Sequence, residues 1–481
     1  MTVLVIDVGT SGVRAGRVQP DATVTDVHYR ALPPSTPFPG LVEFDATELA
    51  SAVLEVAGAA GASGGPVEAV GITNQRASTV LWDRQTGEPV APAIGWQDLR
   101  TVFDCLTIAA EHGIRLAPNQ SATKLAALLN THDPDRSRDL CFGTVDTWVA
   151  WTLSGGRLHV TDHSNAAVTG LLDESAQEWS DRVLDALRIP RSALPTIVDS
   201  CGAVGEADAL EGAPPIAAII GDQQGSLVGQ GCVHPGRTKV TFGTGGMLDT
   251  CTGPEAPATA QRHPHGTFPI VAWSRAGELT WGAEAIMLSA GTNLEWLVED
   301  LGVLADAAES HTVASACEDT GGVVYVPALL GLGTPRWDFG ARGTLLGLTR
   351  GTGRPELVRA VLEGIAQRGA DLVEAAEADT GLTIECLRVD GGMSANPTFV
   401  QALADATHRQ VEVSPVLEAT TLGAGLLAGL ATSVWGSLDD IAGSWRPRAV
   451  IEPGLPLDRE RWAKAVERAA GWMPDLSSLD F

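Results

Sequence analysis

The sequence predicts an α/β protein of two domains. Three observations lead there. Short apolar runs alternate with helix-patterned stretches along the chain. A strand–glycine turn–strand unit occurs near residue 7 and again near residue 241. The 481 residues exceed what one hydrophobic core organises. A hairpin recurring half a chain apart suggests two related halves. The break is expected at residues 231–236, giving domains 1–236 and 237–481.

The elements follow in order. Residues 3–8 form an apolar run broken only by Asp7, closed by Gly9-Thr10-Ser11-Gly12 and followed by β-like residues 13–18. A stretch rich in Ala, Leu and Glu after Asp45 reads as a helix. Residues 68–72 read as a buried strand running into Thr73-Asn74-Gln75-Arg76. Helical segments surround residues 125–129 and span 146–153. Residues 216–220 are a fully apolar strand ending at Gly221-Asp222-Gln223-Gln224-Gly225. Residues 238–242 lead into Gly243-Thr244-Gly245-Gly246, and β character resumes over 247–250. A strand at 323–326 precedes a Gly/Pro-rich loop, and helical spacing covers 355–375. A short strand at 387–389 ends in Asp390-Gly391-Gly392. Helices are predicted at 397–407 and 421–430, the latter rich in Gly and Ala and suited to close packing on a sheet. Residues 457–481 read as a polar helix and tail.

Charge excludes several functions. With 32 basic and 59 acidic residues the net charge is −27, so the surface repels nucleic acid and anionic lipid at long range. A small anionic ligand stays open, provided backbone N–H groups, an arginine or a metal compensate it locally. Only Lys124, Lys239 and Lys464 are present, and none sits in a P-loop pattern or a Schiff-base motif. The seven cysteines are widely spaced, with no CxxC, which argues for reduced thiols and against a zinc site or redox pair. The first residues read as a buried strand, and no run of about 18 apolar residues occurs. A cytoplasmic location away from membranes is expected.

Four constellations carry chemistry. Each Gly/Thr turn exposes consecutive N–H groups that can cradle phosphate, with Thr10, Ser11 and Thr244 adding hydroxyls and Arg14 a fixed charge; an ordinary hairpin turn is the alternative. Asp7, a carboxylate inside an apolar run, is either a ligand of Mg²⁺ or its water, or a turn-initiating residue. Asp222, at the carboxyl end of a buried strand, is either a general base or a helix cap. The Asp390-Gly391-Gly392 turn with Asn396 either admits a flat ligand or simply joins strand to helix. His159, His163, His263 and His265 have ligand-like spacing but no carboxylate or cysteine cluster nearby, and read as core or surface histidines. Most of the 13 tryptophans are expected to pack the core; Trp96, between Gly95 and Gln97-Asp98, is the exception.

Taken in order, these motifs resemble the FGGY carbohydrate kinases, and most closely the glycerol kinase branch. The residues that carry the resemblance are Ile6 to Ser11, Ile72 to Arg76, Gly95 to Asp98, Gly221 to Gln224, Phe242 to Gly245 and Asp390 to Gly392. It implies a two-domain actin/hexokinase/Hsp70-like (ribonuclease H-like) ATPase fold closing on ATP and a polyol or sugar. Asp7 would organise Mg²⁺. Thr10, Ser11, Arg14, Thr244 and Gly245 would hold phosphates. Gly291, Gly392 and Asn396 would border the adenosine, with Glu295 at a position that is Gln in some members. Asp222 would be the general base, with Gln223, Arg76 and Trp96 lining the substrate pocket. The resemblance leaves room for a homo-oligomer, a dimer or a tetramer.

The chain departs from that branch at three substrate-side positions. Ala77 stands where glycerol kinases carry Glu, Asn119 where they carry Tyr, and Met247 where they carry Phe. Losing a carboxylate that bonds a substrate hydroxyl weakens discrimination. The expectation is therefore phosphorylation of a polyol or sugar hydroxyl, with a larger polyol or a ketose as the alternative to glycerol. A non-catalytic, nucleotide-dependent sugar sensor on the same fold is the other reading, since fold alone does not decide function.

Overall fold

A computed structural model describes residues 2–479. Its centre is a sheet of thirteen strands. In chain order these are β1 (Val3–Gly9), β2 (Gly12–Val18), β3 (Val24–Ala31), β4 (Ala69–Asn74), β5 (Cys201–Glu206), β6 (Pro215–Gly221), β7 (Thr238–Phe242), β8 (Gly246–Gly253), β9 (Phe268–Arg275), β10 (Glu278–Met287), β11 (Cys386–Asp390), β12 (Gln410–Val413) and β13 (Ala449–Ile451). The spatial order is β13-β12-β11-β7-β8-β10-β9-β5-β6-β4-β1-β2-β3.

One five-strand pattern occurs twice within this order. In the first half it is β3-β2-β1-β4-β6, and in the second β10-β8-β7-β11-β12. Each opens with antiparallel steps, β3-β2-β1 or β10-β8-β7, and continues with parallel ones. The recurrent hairpins are thus the same element of two like units, β1–β2 and β7–β8. The units join through β5, which pairs antiparallel with β6 and touches β9 in parallel at Cys201 and Arg275.

Seven helices frame the site: α1 (Ala46–Ala62), α2 (Ser121–His132), α3 (Val145–Leu153), α4 (Asp222–Gly229), α5 (Arg354–Thr380), α6 (Pro397–Thr407) and α7 (Ala419–Ala431). Asp45 caps α1 by accepting from the N–H groups of Thr47 and Glu48, and Leu49, Val53, Val56 and Ala60 form the face it buries. Asn396 and Pro397 start α6 as cap and first residue. Val3, Leu4, Val5, Ile6 and Val8 of β1 are all buried, because helices cover both faces of the central strands.

Two apolar cores follow the two units. One gathers Leu4, Ile6, Val70 and Ile219 with α1 and α3; the other gathers Val240, Phe242, Val389 and Val411 with α5 and α6. A third lies around α4 and α7 and includes Val3, Ile220 and Cys251. The backbones of α4 and α7 touch: a side chain at Gly229 would run into the Ala419 carbonyl, and one at Gly423 into the Gly225 carbonyl. Only glycine permits that approach. No helix among the described residues is long and apolar enough to cross a membrane.

Candidate active site

The first hairpin carries Asp7 on β1 directly opposite Arg14 on β2. Arg14 Nη1 lies 3.4 Å from Asp7 Oδ2, and Thr421 Oγ1 of α7 donates to the same oxygen at 2.9 Å. Burial pushes the Asp7 carboxyl up to about 6, against the pull of Arg14 and Thr421 and with the like charge of Asp222 adding to the rise. Among the described residues no backbone N–H donates to this side chain, so it does not initiate the turn. Both of its recorded partners use Oδ2. An uncommitted carboxylate oxygen on the strand that runs into the Gly/Thr turn fits Mg²⁺, which keeps most of its waters and takes one or two protein carboxylates. In the turn itself, Ser11 O accepts from Leu32 N and Tyr29 Oη, while Thr10 Oγ1 accepts from Trp96 Nε1 at 3.2 Å.

Asp222 is the first residue of α4, and Gly221 holds the cap position. Its Oδ1 accepts from Gln223 N at 2.8 Å and stands 3.5 Å from Arg76 Nε. Burial raises its carboxyl, opposed by Arg76 and Lys239. Arg76 follows β4 and reaches across to the second unit, where Nη2 donates to Glu284 Oε2 of β10 at 2.6 Å. Burial pulls the Arg76 guanidinium down, but Glu284, Asp222 and Asp249 together push it up and keep it charged. Lys239 Nζ of β7 donates to Gln223 Oε1 at 2.6 Å and Thr241 Oγ1 at 3.0 Å, and lies 2.7 Å from Asp249 Oδ2 of β8. Met247 sits two residues along β8 from Asp249, on the same face.

Ala77, Trp96 and Asn119 gather around α2. Ser121 Oγ donates to the Ala77 carbonyl at 2.9 Å. The fully buried Lys124 donates to the carbonyls of Gly95 and Trp96, at 2.9 Å each, and of Asn119 at 3.4 Å. Burial drags its ammonium down to about 7, with Asp98 the main opposing charge.

The second hairpin is tied to the start of the next turn. Ala290 N donates to Thr244 O and Gly291 N to Gly243 O, each at 2.8 Å, and Gly245 O accepts from Gly243 N. A side chain at Gly391 would meet the Phe242 carbonyl, so the Asp390-Gly391-Gly392 turn packs on the base of the same hairpin. Asp390 Oδ2 accepts from Ser226 Oγ of α4 at 3.0 Å, which links this turn to the helix that begins with Asp222. Thr244, Gly245, Gly291 and Gly392 therefore form one neighbourhood. Asn396 borders it with its side chain already engaged: Oδ1 accepts from Phe399 N, and Nδ2 donates to Ser310 Oγ. Glu295 is exposed on the turn that follows Gly291.

The structure adds residues that sequence reasoning passed over: Glu284, Lys239, Asp249, Lys124 and Thr421. Two of the three lysines, read in the sequence as without a supporting motif, are fully buried beside this site. The histidines stand apart from it. His159 packs against Trp82 and Trp151, burial lowers its ring to about 4, and His265 pairs with Asp379 on the surface.

Comparison with known proteins follows the same division. The model of the N-terminal domain of the FGGY family of carbohydrate kinases matches residues 2–229, and that of the C-terminal domain matches residues 238–432. Glycerol kinase of Bordetella parapertussis is 41% identical over an alignment covering 98% of this chain and 97% of that protein. Glycerol kinase of Halorhodospira halophila is 40% identical with 98% and 97% covered. Among solved structures, Plasmodium falciparum glycerol kinase with ADP superposes with a TM-score of 0.89 at 29% identity, covering 97% of this chain and 98% of that one. A xylulose kinase from Brucella ovis superposes with a TM-score of 0.85 at 25% identity over the whole of both chains.

Proposed function

The chain belongs to the FGGY family of carbohydrate kinases, and from that premise we propose that it transfers the γ-phosphoryl group of ATP to a hydroxyl of a small polyol, with Asp222 as general base. The observation that carries this reading is the Asp222 carboxylate. It stands at the start of α4 beside the Arg76 guanidinium, accepts from the backbone N–H of Gln223 and lies within the electrostatic reach of Asp7.

Phosphoryl transfer asks a protein chiefly for positioning and electrostatic stabilisation. In this chain Asp222 accepts the proton of the attacking hydroxyl. Burial raises its carboxyl, which makes it a better proton acceptor than an exposed aspartate. Arg76 and the Gln223 amide orient the polyol beside it, and Trp96, Asn119, Ala77 and Met247 shape the rest of the pocket. The hairpin residues Thr10, Ser11, Arg14, Thr244 and Gly245 hold phosphate oxygens through N–H, hydroxyl and guanidinium groups, as a lysine-free turn can. Gly291, Gly392 and Asn396 border the adenosine, with Glu295 at its rim. Asp7 would hold Mg²⁺, which when bound neutralises charge on the β- and γ-phosphates. Residues 1–236 form the substrate and metal lobe in this reading and 237–481 the nucleotide lobe, although Met247, Lys239 and Glu284 bring the second lobe to the substrate side.

The glycerol kinases similar to this chain support a polyol as acceptor. The loss of a carboxylate at Ala77 favours one larger than glycerol. ADP release measured against glycerol, erythritol, xylitol and xylulose, with Asp222→Asn alongside, tests the proposal. Turnover with at least one of these, lost about 10²–10⁴-fold in Asp222→Asn with ATP binding kept, is expected. Turnover unchanged in Asp222→Asn would remove Asp222 from the role.

A further inference from the structure

Lys239, Asp249 and Glu284 lie side by side on three neighbouring strands. Lys239 of β7 is the Cα partner of Asp249 of β8, which is the Cα partner of Glu284 of β10. All three are buried; Lys239 and Asp249 are 0% exposed and Glu284 6%. Charges in such a place are costly unless their partners are well arranged. A chain that needed only a packed sheet would place apolar residues here.

Each end of the row holds one substrate-side residue. At one end the ammonium donates to Gln223 Oε1 and Thr241 Oγ1 and forms an ion pair with Asp249 Oδ2 at 2.7 Å. An ammonium only donates, so it sets the orientation of the Gln223 amide: the oxygen faces Lys239, and the NH₂ is turned away. At the other end Glu284 accepts from Arg76 Nη2 at 2.6 Å, and Gln224 Oε1 is 3.4 Å from Nη1. Asp222 stands 3.5 Å from Arg76 Nε, and its Oδ1 accepts from the backbone N–H of its chain neighbour Gln223.

We propose that Lys239, Asp249 and Glu284 are positioning residues that present the Gln223 amide and Arg76 as hydrogen-bond donors next to Asp222, so that the polyol oxygens near the reacting hydroxyl are read as acceptors. This rests on the kinase reading for its ligand but not for its geometry. Asp249 is the shared counter-charge: it pairs with Lys239 and faces Glu284 across the strands, so the row carries one cation between Gln223 and two carboxylates. The row therefore acts on substrate recognition and not on the nucleotide.

Two measurements test it. In the first, Lys239→Met is combined with Asp249→Leu, which removes both buried charges together and leaves neither unmatched. The KM for whichever of glycerol, erythritol, xylitol or xylulose the unmodified chain phosphorylates best is expected to rise about tenfold, the worth of one well-placed hydrogen bond, with the ATP KM unchanged. An unchanged polyol KM, or an equal rise for ATP, overturns the proposal. The second needs neither turnover nor the double variant. Melting temperatures are compared for Gln223→Glu and Gln223→Met. A Glu oxygen takes over the contact with the ammonium, whereas Met leaves Lys239 short of an acceptor. Gln223→Glu is expected to melt at or above the unmodified chain, and Gln223→Met several degrees below it. Equal melting of the two variants, or the reverse order, overturns the orientation. If no polyol is turned over, the kinase reading fails by itself and the melting order still decides this inference.

Discussion

Arg76 Nη2 and Glu284 Oε2 stand 2.6 Å apart, although 208 residues separate them in the chain. Their side chains are 12% and 7% exposed, so the pair is a nearly dry bridge from the loop after β4 to β10 in the other unit. Removing one partner leaves a buried charge unmatched, at a cost of about 3–5 kcal/mol. Arg76→Met is therefore expected to unfold at markedly lower urea concentration. Arg76→Met with Glu284→Met should recover most of that stability without recovering turnover. Urea melts with a coupled ADP assay check both halves, and a double variant no more stable than the single one refutes the pairing as the cause.

Asp7 sets opposite pH trends for stability and activity. Burial lifts its carboxyl from the ordinary 3.8 to about 6. Between those values the folded chain holds the proton and the unfolded chain has lost it. The folded state thus binds more protons, and this group's contribution to stability falls as pH rises through the window. In the proposed reaction Asp7 acts as the ionised carboxylate, so kcat/KM should fall on the acid side with an apparent pKa of about 6. Asp7→Asn is expected to be inactive yet more stable at pH 8, by about 1–3 kcal/mol. Thermal melts at acid and alkaline pH, set beside a pH–rate profile, show whether the two trends oppose.

Lys124 answers a different question, because its ammonium pairs with no carboxylate among the described residues and holds the carbonyls of Gly95, Trp96 and Asn119. Lys124→Met leaves buried acceptors unpaired, at about 1–3 kcal/mol. It should also loosen the loops carrying Trp96 and Asn119, so the polyol KM is expected to rise more than the ATP KM. Equal rises in steady-state assays would assign Lys124 to stability alone.

Ala77 is buried in a left-handed backbone conformation, with φ at 61°. Ala77→Glu brings the carboxylate that the resemblance to glycerol kinases implies at this position and adds no new backbone strain, since every residue with a Cβ meets the same restriction. Relative kcat/KM is expected to move toward glycerol and away from longer polyols by about tenfold or more. A competition assay with two polyols reads the ratio directly, and no change in it would remove position 77 from substrate choice.

Much of this architecture is visible in the chain itself. The two glycine hairpins announce the repeated unit, and the helix at 397–407 ends where its pattern ends. Asp7 and Asp222 stand out because each interrupts or closes an apolar run. Lys239, Asp249 and Glu284 do not. Each is a charged residue in a strand of mixed polarity, and that pattern ordinarily marks a solvated face. Only strand order and register turn the three faces inward and align them, and neither can be read from one strand alone. Thr421 is hidden for a related reason: a hydroxyl in a Gly/Ala-rich helix looks like filler until α7 is laid against β1.

The crossing of α4 and α7 bears on how this chain tolerates change. Asp222 starts one helix, and Thr421, which bonds Asp7, lies in the other. Their separation is set by Gly229 and Gly423, which carry no functional group and whose added Cβ would fall on the Ala419 and Gly225 carbonyls. A saturation library should therefore reveal a second class of forbidden sites, silent in any inventory of reactive groups. A single methyl there would wedge the helices and carry both carboxylates off their mark. In engineering, those two glycines are as immovable as the aspartates they space.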